Sequence, residues 1–171
     1  ERFLFIAHFQ TFFEKYVLAE MRGRIDANGN SPFWDCVGSH FFDLSLVKAD
    51  LMVNCDKTFI DDLFPKNPIY IPMLSAAAQS VIGQVHDKTA PAKHLLETEG
   101  FKQINEVDIF EGGPILKAKT KSIRAVKESR LAKFSGVKEI PELERYLIAR
   151  CRDLASFSVT VGALLLEGEE L

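Results

Sequence analysis

SAAAQSVIGQVHDKTAPAKHLLETEGFKQINEVDIFEGGPILKAKT, residues 75–120, is the stretch that decides the architecture. Ser75 can cap a helix over residues 76–82, which Gly83 closes. Thr89 can cap the next one. Pro91 sits in its first turn, Ala92, Leu95 and Leu96 form an apolar stripe, and Gly100 ends it. FKQINEVDIF (101–110) reads as a strand, EGGP (111–114) as a tight turn, and residues near 115–120 as a returning strand.

Working outward, Phe5, Phe9, Phe12, Phe13 and Tyr16 recur at helical spacing and predict an amphipathic helix over residues 2–15. YVLAEMRG (16–23) reads as a strand ending at Gly23, and DANGN (26–30) is dense in turn formers. Ser31 can cap a helix with Pro32 in its first position, Phe33, Trp34 and Val37 on one face, and Gly38 at its end. HFFDL (40–44) then reads as a strand. This order of cap, proline, short helix, glycine and aromatic strand returns at 89–110, which makes an internal repeat one reading and coincidence the other. Residues 58–64 predict a short helix stopped by Pro65. RYLIA and FSVTVGALLL predict strands of a closing sheet. A linker is expected at 135–141, dividing an acyltransferase-like region (1–134) from a β-rich segment (135–171).

The 171 residues are 47% hydrophobic, enough for one globular domain or two small ones. A net charge of −3 argues against general polyanion binding, so no nucleic-acid role is expected. No apolar run is long enough to span a bilayer, and no signal peptide is recognisable. Cys36, Cys55 and Cys151 are isolated and odd in number, which predicts reduced thiols in a cytoplasmic protein and no disulfide framework. The chain opens at Glu1 inside a helical pattern, which suggests a fragment or a processed piece.

His86 is the first candidate for chemistry. It falls in the connection before a helix N-terminus, where partial positive charge disfavours imidazolium and suits a general base; an inert loop histidine is the alternative. His8, His40 and His94 have no metal-ligand spacing with it, so no metal is expected. Asp108 and Glu111 flank a flexible turn and could meet a cationic substrate; solvated hairpin charges are the other reading. Arg22 ends a strand, a common ligand position in α/β proteins. The basic run of Lys117, Lys119, Lys121, Arg124, Lys127, Arg130 and Lys133 could meet a phosphate-bearing cofactor, or simply be a solvated face.

AEMRG (19–23), SPFW (31–34), PIY (68–70), VIGQVH (81–86), TAPA (89–92), EGF (99–101), DIFEGGP (108–114) and SR (129–130) together resemble the bacterial arginine N-succinyltransferase family, over about residues 1–130. The resemblance implies an α/β (α+β) fold, an acyl-CoA N-acyltransferase-like mixed sheet flanked by helices, N-terminally truncated so that it lacks the upstream loop that cradles the coenzyme. It implies succinyl transfer from succinyl-CoA to the α-amine of L-arginine, the first step of arginine catabolism by the succinyl route. The family's catalytic histidine, a proton donor, closes the IGQVH motif and falls on His86. It also implies a cytoplasmic enzyme that is a homo-oligomer or pairs with a related subunit. A non-catalytic partner subunit, and an acyltransferase acting on ornithine or another basic amine, are the alternatives.

Overall fold

Ser31 starts the core. Its Oγ accepts a hydrogen bond from the Trp34 amide at 3.2 Å, Pro32 takes the first helical position, and a helix runs over Pro32–Cys36. That turn buries Phe33 and Trp34. The computed structural model describes residues 1–53, 58, 60, 64–133, 135–136, 145–151 and 154–163, and it divides into two compact units. One is Tyr16–Ala118; the other combines Glu1–Lys15 with Lys119–Leu171.

The Tyr16–Ala118 unit carries a three-stranded sheet of β1 (Tyr16–Glu20), β2 (Lys102–Val107) and β3 (Pro114–Lys119), with β3 in the middle. β2 and β3 form the expected hairpin, antiparallel with Lys102 opposite Lys117 and Val107 opposite Pro114. Met21 donates its amide to the Pro114 carbonyl at 3.1 Å, while Lys117 lies over the Tyr16 ring at 4.8 Å. β1 and β3 therefore also run in opposite directions. β1 stops at Glu20 and β2 at Val107, each short of its expected end. Beyond those points the backbone amides go to turns and to neighbouring segments.

The core of this unit is aromatic. Trp34 is 1% exposed and stacks on Phe42 and on Phe110, both with centroids 5.5 Å away. Its Nε1–H is satisfied by the Leu44 carbonyl at 2.9 Å. Leu46 and Ala49, from the Leu46–Val53 helix, complete this cluster, and Phe33, Val37 and Val81 form a second one.

Three expectations fail here. Gly38 does not end a helix before a strand; a second short helix runs over Gly38–Phe42, so HFFDL is not extended. The reason is steric. A Cβ on Gly38 would lie 2.2 Å from the Trp34 ring, so glycine permits a close approach of the second helix to the indole. Asp43 closes that helix in the left-handed region at φ 46°. The supposed repeat loses its first strand and with it its basis. The third failure is the stripe of the Ala90–Thr98 helix: Ala92 and Leu95 are exposed, and no residue of that helix is buried.

In the other unit, the helix expected over 2–15 is only Arg2–His8, followed by a 3-10 turn at Gln10–Phe12. Phe9, at φ −110° and ψ 39°, breaks it, and the gain is an aromatic cluster in which Phe5 touches Phe9, Phe13 and Phe157. Ile6, Ile123 and Val126 are buried, the last on a helix over Arg124–Glu128. β4 (Arg145–Arg150) and β5 (Ser158–Ala163) pair antiparallel, so RYLIA and FSVTV form a two-stranded sheet of their own. The predicted helix over 58–64 and the predicted linker at 135–141 lie largely outside the described residues, as does Cys55. Among the described residues no helix is long and apolar enough to cross a membrane.

Candidate active site

Three segments far apart in the sequence are hydrogen-bonded to one another: residues 21–24 after β1, residues 83–87 after the Ala76–Val81 helix, and the 108–113 turn. His86 donates its amide to the Arg22 carbonyl at 2.8 Å, and Gly83 donates to the Gly112 carbonyl at 2.8 Å. Gly23 donates to Glu111 Oε2 at 2.9 Å. Glycine is required where the backbones meet. A Cβ on Gly113 would sit 2.0 Å from the Met21 carbonyl oxygen, and one on Gly23 would sit 2.2 Å from that of Glu111. Phe110 carries the turn onto Trp34, so the aromatic core supports the cluster from beneath.

His86 is half-buried and extended, at φ −61° and ψ 137°, and it caps a 3-10 turn over Asp87–Thr89. The capping atom is its own Nδ1, which accepts the Lys88 amide at 3.1 Å. The Thr89 hydroxyl, expected as a cap, instead donates to the His86 carbonyl at 3.0 Å. A neutral imidazole whose Nδ1 accepts a hydrogen bond carries its proton on Nε2. The backbone therefore sets the tautomer and leaves Nε2–H as the donor.

Arg22 and Glu111 form an ion pair, with Nη2 at 3.1 Å and Nε at 3.3 Å from Oε1. Glu111 is the more buried partner, at 14% exposure against 58% for Arg22. Asp108 uses Oδ2 to accept the amides of Phe110 at 3.0 Å and Glu111 at 2.6 Å, which builds the turn. Burial raises its carboxyl above the ordinary value, although those two amides pull it down. Arg22, His86, Asp108 and Glu111 thus lie in one bonded network. Its links were hidden in the sequence, because Arg22 and Glu111 are 89 positions apart. A second pair, Arg24 with Asp87 at 3.0 Å, lies next to His86 and had no sequence signal beyond its charges.

His8, His40 and His94 are exposed. An apolar hollow of about 290 Å³, lined by Phe33, Val37, Leu74, Ile82, Val107 and Ile109, opens beside the Asp108 turn. In the basic run, Lys117 covers Tyr16 and Arg124 pairs with Glu128 at 3.2 Å. Among the described residues no group of three or more His, Cys, Asp or Glu side chains could hold a metal ion.

The family model described as arginine N-succinyltransferase beta subunit matches residues 1–125 of this chain. Arginine N-succinyltransferase of Photorhabdus laumondii is 52% identical over 140 residues, which is 81% of this chain and 41% of that protein. The Yersinia enterocolitica protein of the same name is 47% identical over 154 residues, 88% of this chain and 45% of that protein. The chain therefore spans less than half the length of these curated relatives. Among solved structures, the arginine/ornithine succinyltransferase subunit AI of Pseudomonas aeruginosa superposes with a TM-score of 0.80 at 35% identity, over 99% of this chain and 48% of that one.

Proposed function

The chain belongs to the arginine N-succinyltransferase family, and on that premise we propose that it supplies the proton-transfer centre of an acyltransferase that moves a succinyl group from succinyl-CoA to the α-amine of L-arginine. The observation that carries this reading is the His86 geometry: Nδ1 held by the Lys88 amide, the backbone held by Arg22, and Nε2–H left as donor.

The chemistry follows from that donor. The neutral amine nitrogen attacks the thioester carbon, and a C–N bond forms as the C–S bond breaks. The nitrogen that has become cationic loses a proton as the departing thiolate gains one, with Nε2–H donating a hydrogen bond to the sulfur on which charge develops, so the imidazole stays neutral and no imidazolate forms. Such assistance by a placed imidazole is typically worth roughly 10²–10⁴-fold. Asp108 Oδ2 and both Glu111 oxygens accept hydrogen bonds within the chain, so a substrate guanidinium at Glu111 would compete with Arg22. The proposed enzyme is cytoplasmic, takes succinyl-CoA as co-substrate, and works as a homo-oligomer or with a related subunit.

The test uses two variants, because His86 is also a cap. His86→Asn keeps a side-chain acceptor for the Lys88 amide and removes the proton donor. It should lower kcat by roughly 10²-fold or more with an unchanged thermal midpoint. His86→Ala should lose the same activity and in addition about 1 kcal/mol of stability. Turnover of His86→Asn within a few-fold of wild type would sink the assignment. The Pseudomonas relative is an arginine/ornithine succinyltransferase subunit, which supports the second reading, a paired enzyme that also takes ornithine. A thiol-release assay with arginine and ornithine side by side separates the two substrates.

A further inference from the structure

We infer that Glu111 is the positioning residue of the proposed proton donor, acting on His86 through the Arg22 backbone. The inference rests on the role proposed for His86 and adds the question of what holds that imidazole in place.

The imidazole is anchored at two points. One is local, the Nδ1 bond to the Lys88 amide at 3.1 Å. The other is remote, the His86 amide bonded to the Arg22 carbonyl at 2.8 Å. Arg22 lies past the end of β1, so the sheet ladder does not hold its carbonyl. Glu111 holds it instead, from both sides. Oε1 takes the Arg22 side chain at 3.1 Å, and Oε2 takes the amide of Gly23, the N–H of the same peptide group as the Arg22 carbonyl, at 2.9 Å.

A carboxylate that bridges a side chain and the N–H of the peptide that follows it fixes the orientation of that planar peptide, and the same peptide's carbonyl is the acceptor for His86. Glu111 is in turn rigid. Its own amide is bound by Asp108 Oδ2, Gly112 donates to the Asp108 carbonyl at 3.0 Å, and Phe110 is stacked on Trp34. The charge-assisted bonds, at 2.9–3.3 Å, lie at a carboxylate only 14% exposed, where they are stronger than on an open surface. A displaced carbonyl would shift the imidazole, and a misplacement of about 1 Å can cost on the order of 10²-fold in rate.

The test compares Glu111→Ala and Glu111→Gln by amide hydrogen exchange and by kinetics. In Glu111→Ala the His86 amide should exchange at least about tenfold faster, and kcat should fall about tenfold or more with KM for arginine within about twofold. Glu111→Gln keeps an oxygen for the Gly23 amide and should restore part of both. It also preserves side-chain volume, so it gives a readout if the alanine variant does not fold. Unchanged His86 exchange in both variants would overturn the inference. So would a raised KM for arginine with kcat intact, because that pattern would put Glu111 on the substrate guanidinium. The exchange arm does not depend on activity. An active His86→Asn enzyme would defeat the functional reading, while faster His86 exchange would still show that Glu111 anchors this loop.

Discussion

At Asp108, burial wins over hydrogen bonding. Desolvation raises its carboxyl most, the amides of Glu111 and Phe110 lower it, and the nearby Glu111 and Glu20 charges raise it further. The folded chain thus holds this proton more tightly than the unfolded chain does. The contribution to stability is fully present below the ordinary value of 3.8 and is lost as pH rises through the higher folded value. Asp108→Asn keeps an oxygen for the two amides and abolishes the titration. The thermal midpoint of the wild type relative to this variant should therefore fall as pH is raised from about 3 to about 6. A difference that stays flat would mean that the amide bonds offset burial, and one that grows with pH that they outweigh it.

At the level of elements, the caps and turns were legible because their chemistry closes within a few residues. Ser31 and Ser75 accept the amides of Trp34 and Ala78, Asp26 accepts those of Asn28 and Asn30, and Gly112 takes φ 67° in the EGGP turn. HFFDL was misread because its aromatic content favours a strand, whereas the packing of Phe42 on Trp34 decides for a helix. The motifs of the candidate site were each visible, but the bonds joining Arg22 to His86 and to Glu111 were not, because no local pattern encodes a contact across such separations. The helix pair around Trp34 gives its own prediction. Trp34→Ala should cost on the order of 3–5 kcal/mol, since the indole is almost fully buried between two rings. Gly38→Ala adds a methyl where the indole already lies and should destabilise by about 1–3 kcal/mol. Chemical denaturation measures both, and a neutral Gly38→Ala would show that the two helices can separate without penalty.

On the scale of the whole chain, the division into units makes a prediction about cooperativity. Every hydrogen bond that orients His86 lies within Tyr16–Ala118, whereas the Phe5, Phe9, Phe13 and Phe157 cluster lies within the other unit. Compact units open with free energies of their own. Phe5→Ala removes the ring shared by three aromatic contacts and should cost roughly 1–3 kcal/mol, less than a fully buried phenylalanine because the site is only half-buried. Amide exchange should then quicken along the Arg2–His8 helix and for Thr120, whose amide is bonded to the Lys15 carbonyl at 3.0 Å. The amides of Gly83 and His86, bonded to Gly112 and Arg22, should keep their wild-type protection. If both sets quicken together, the chain unfolds as one cooperative body, and the machinery around His86 draws its stability from the aromatic cluster as well as from its own core.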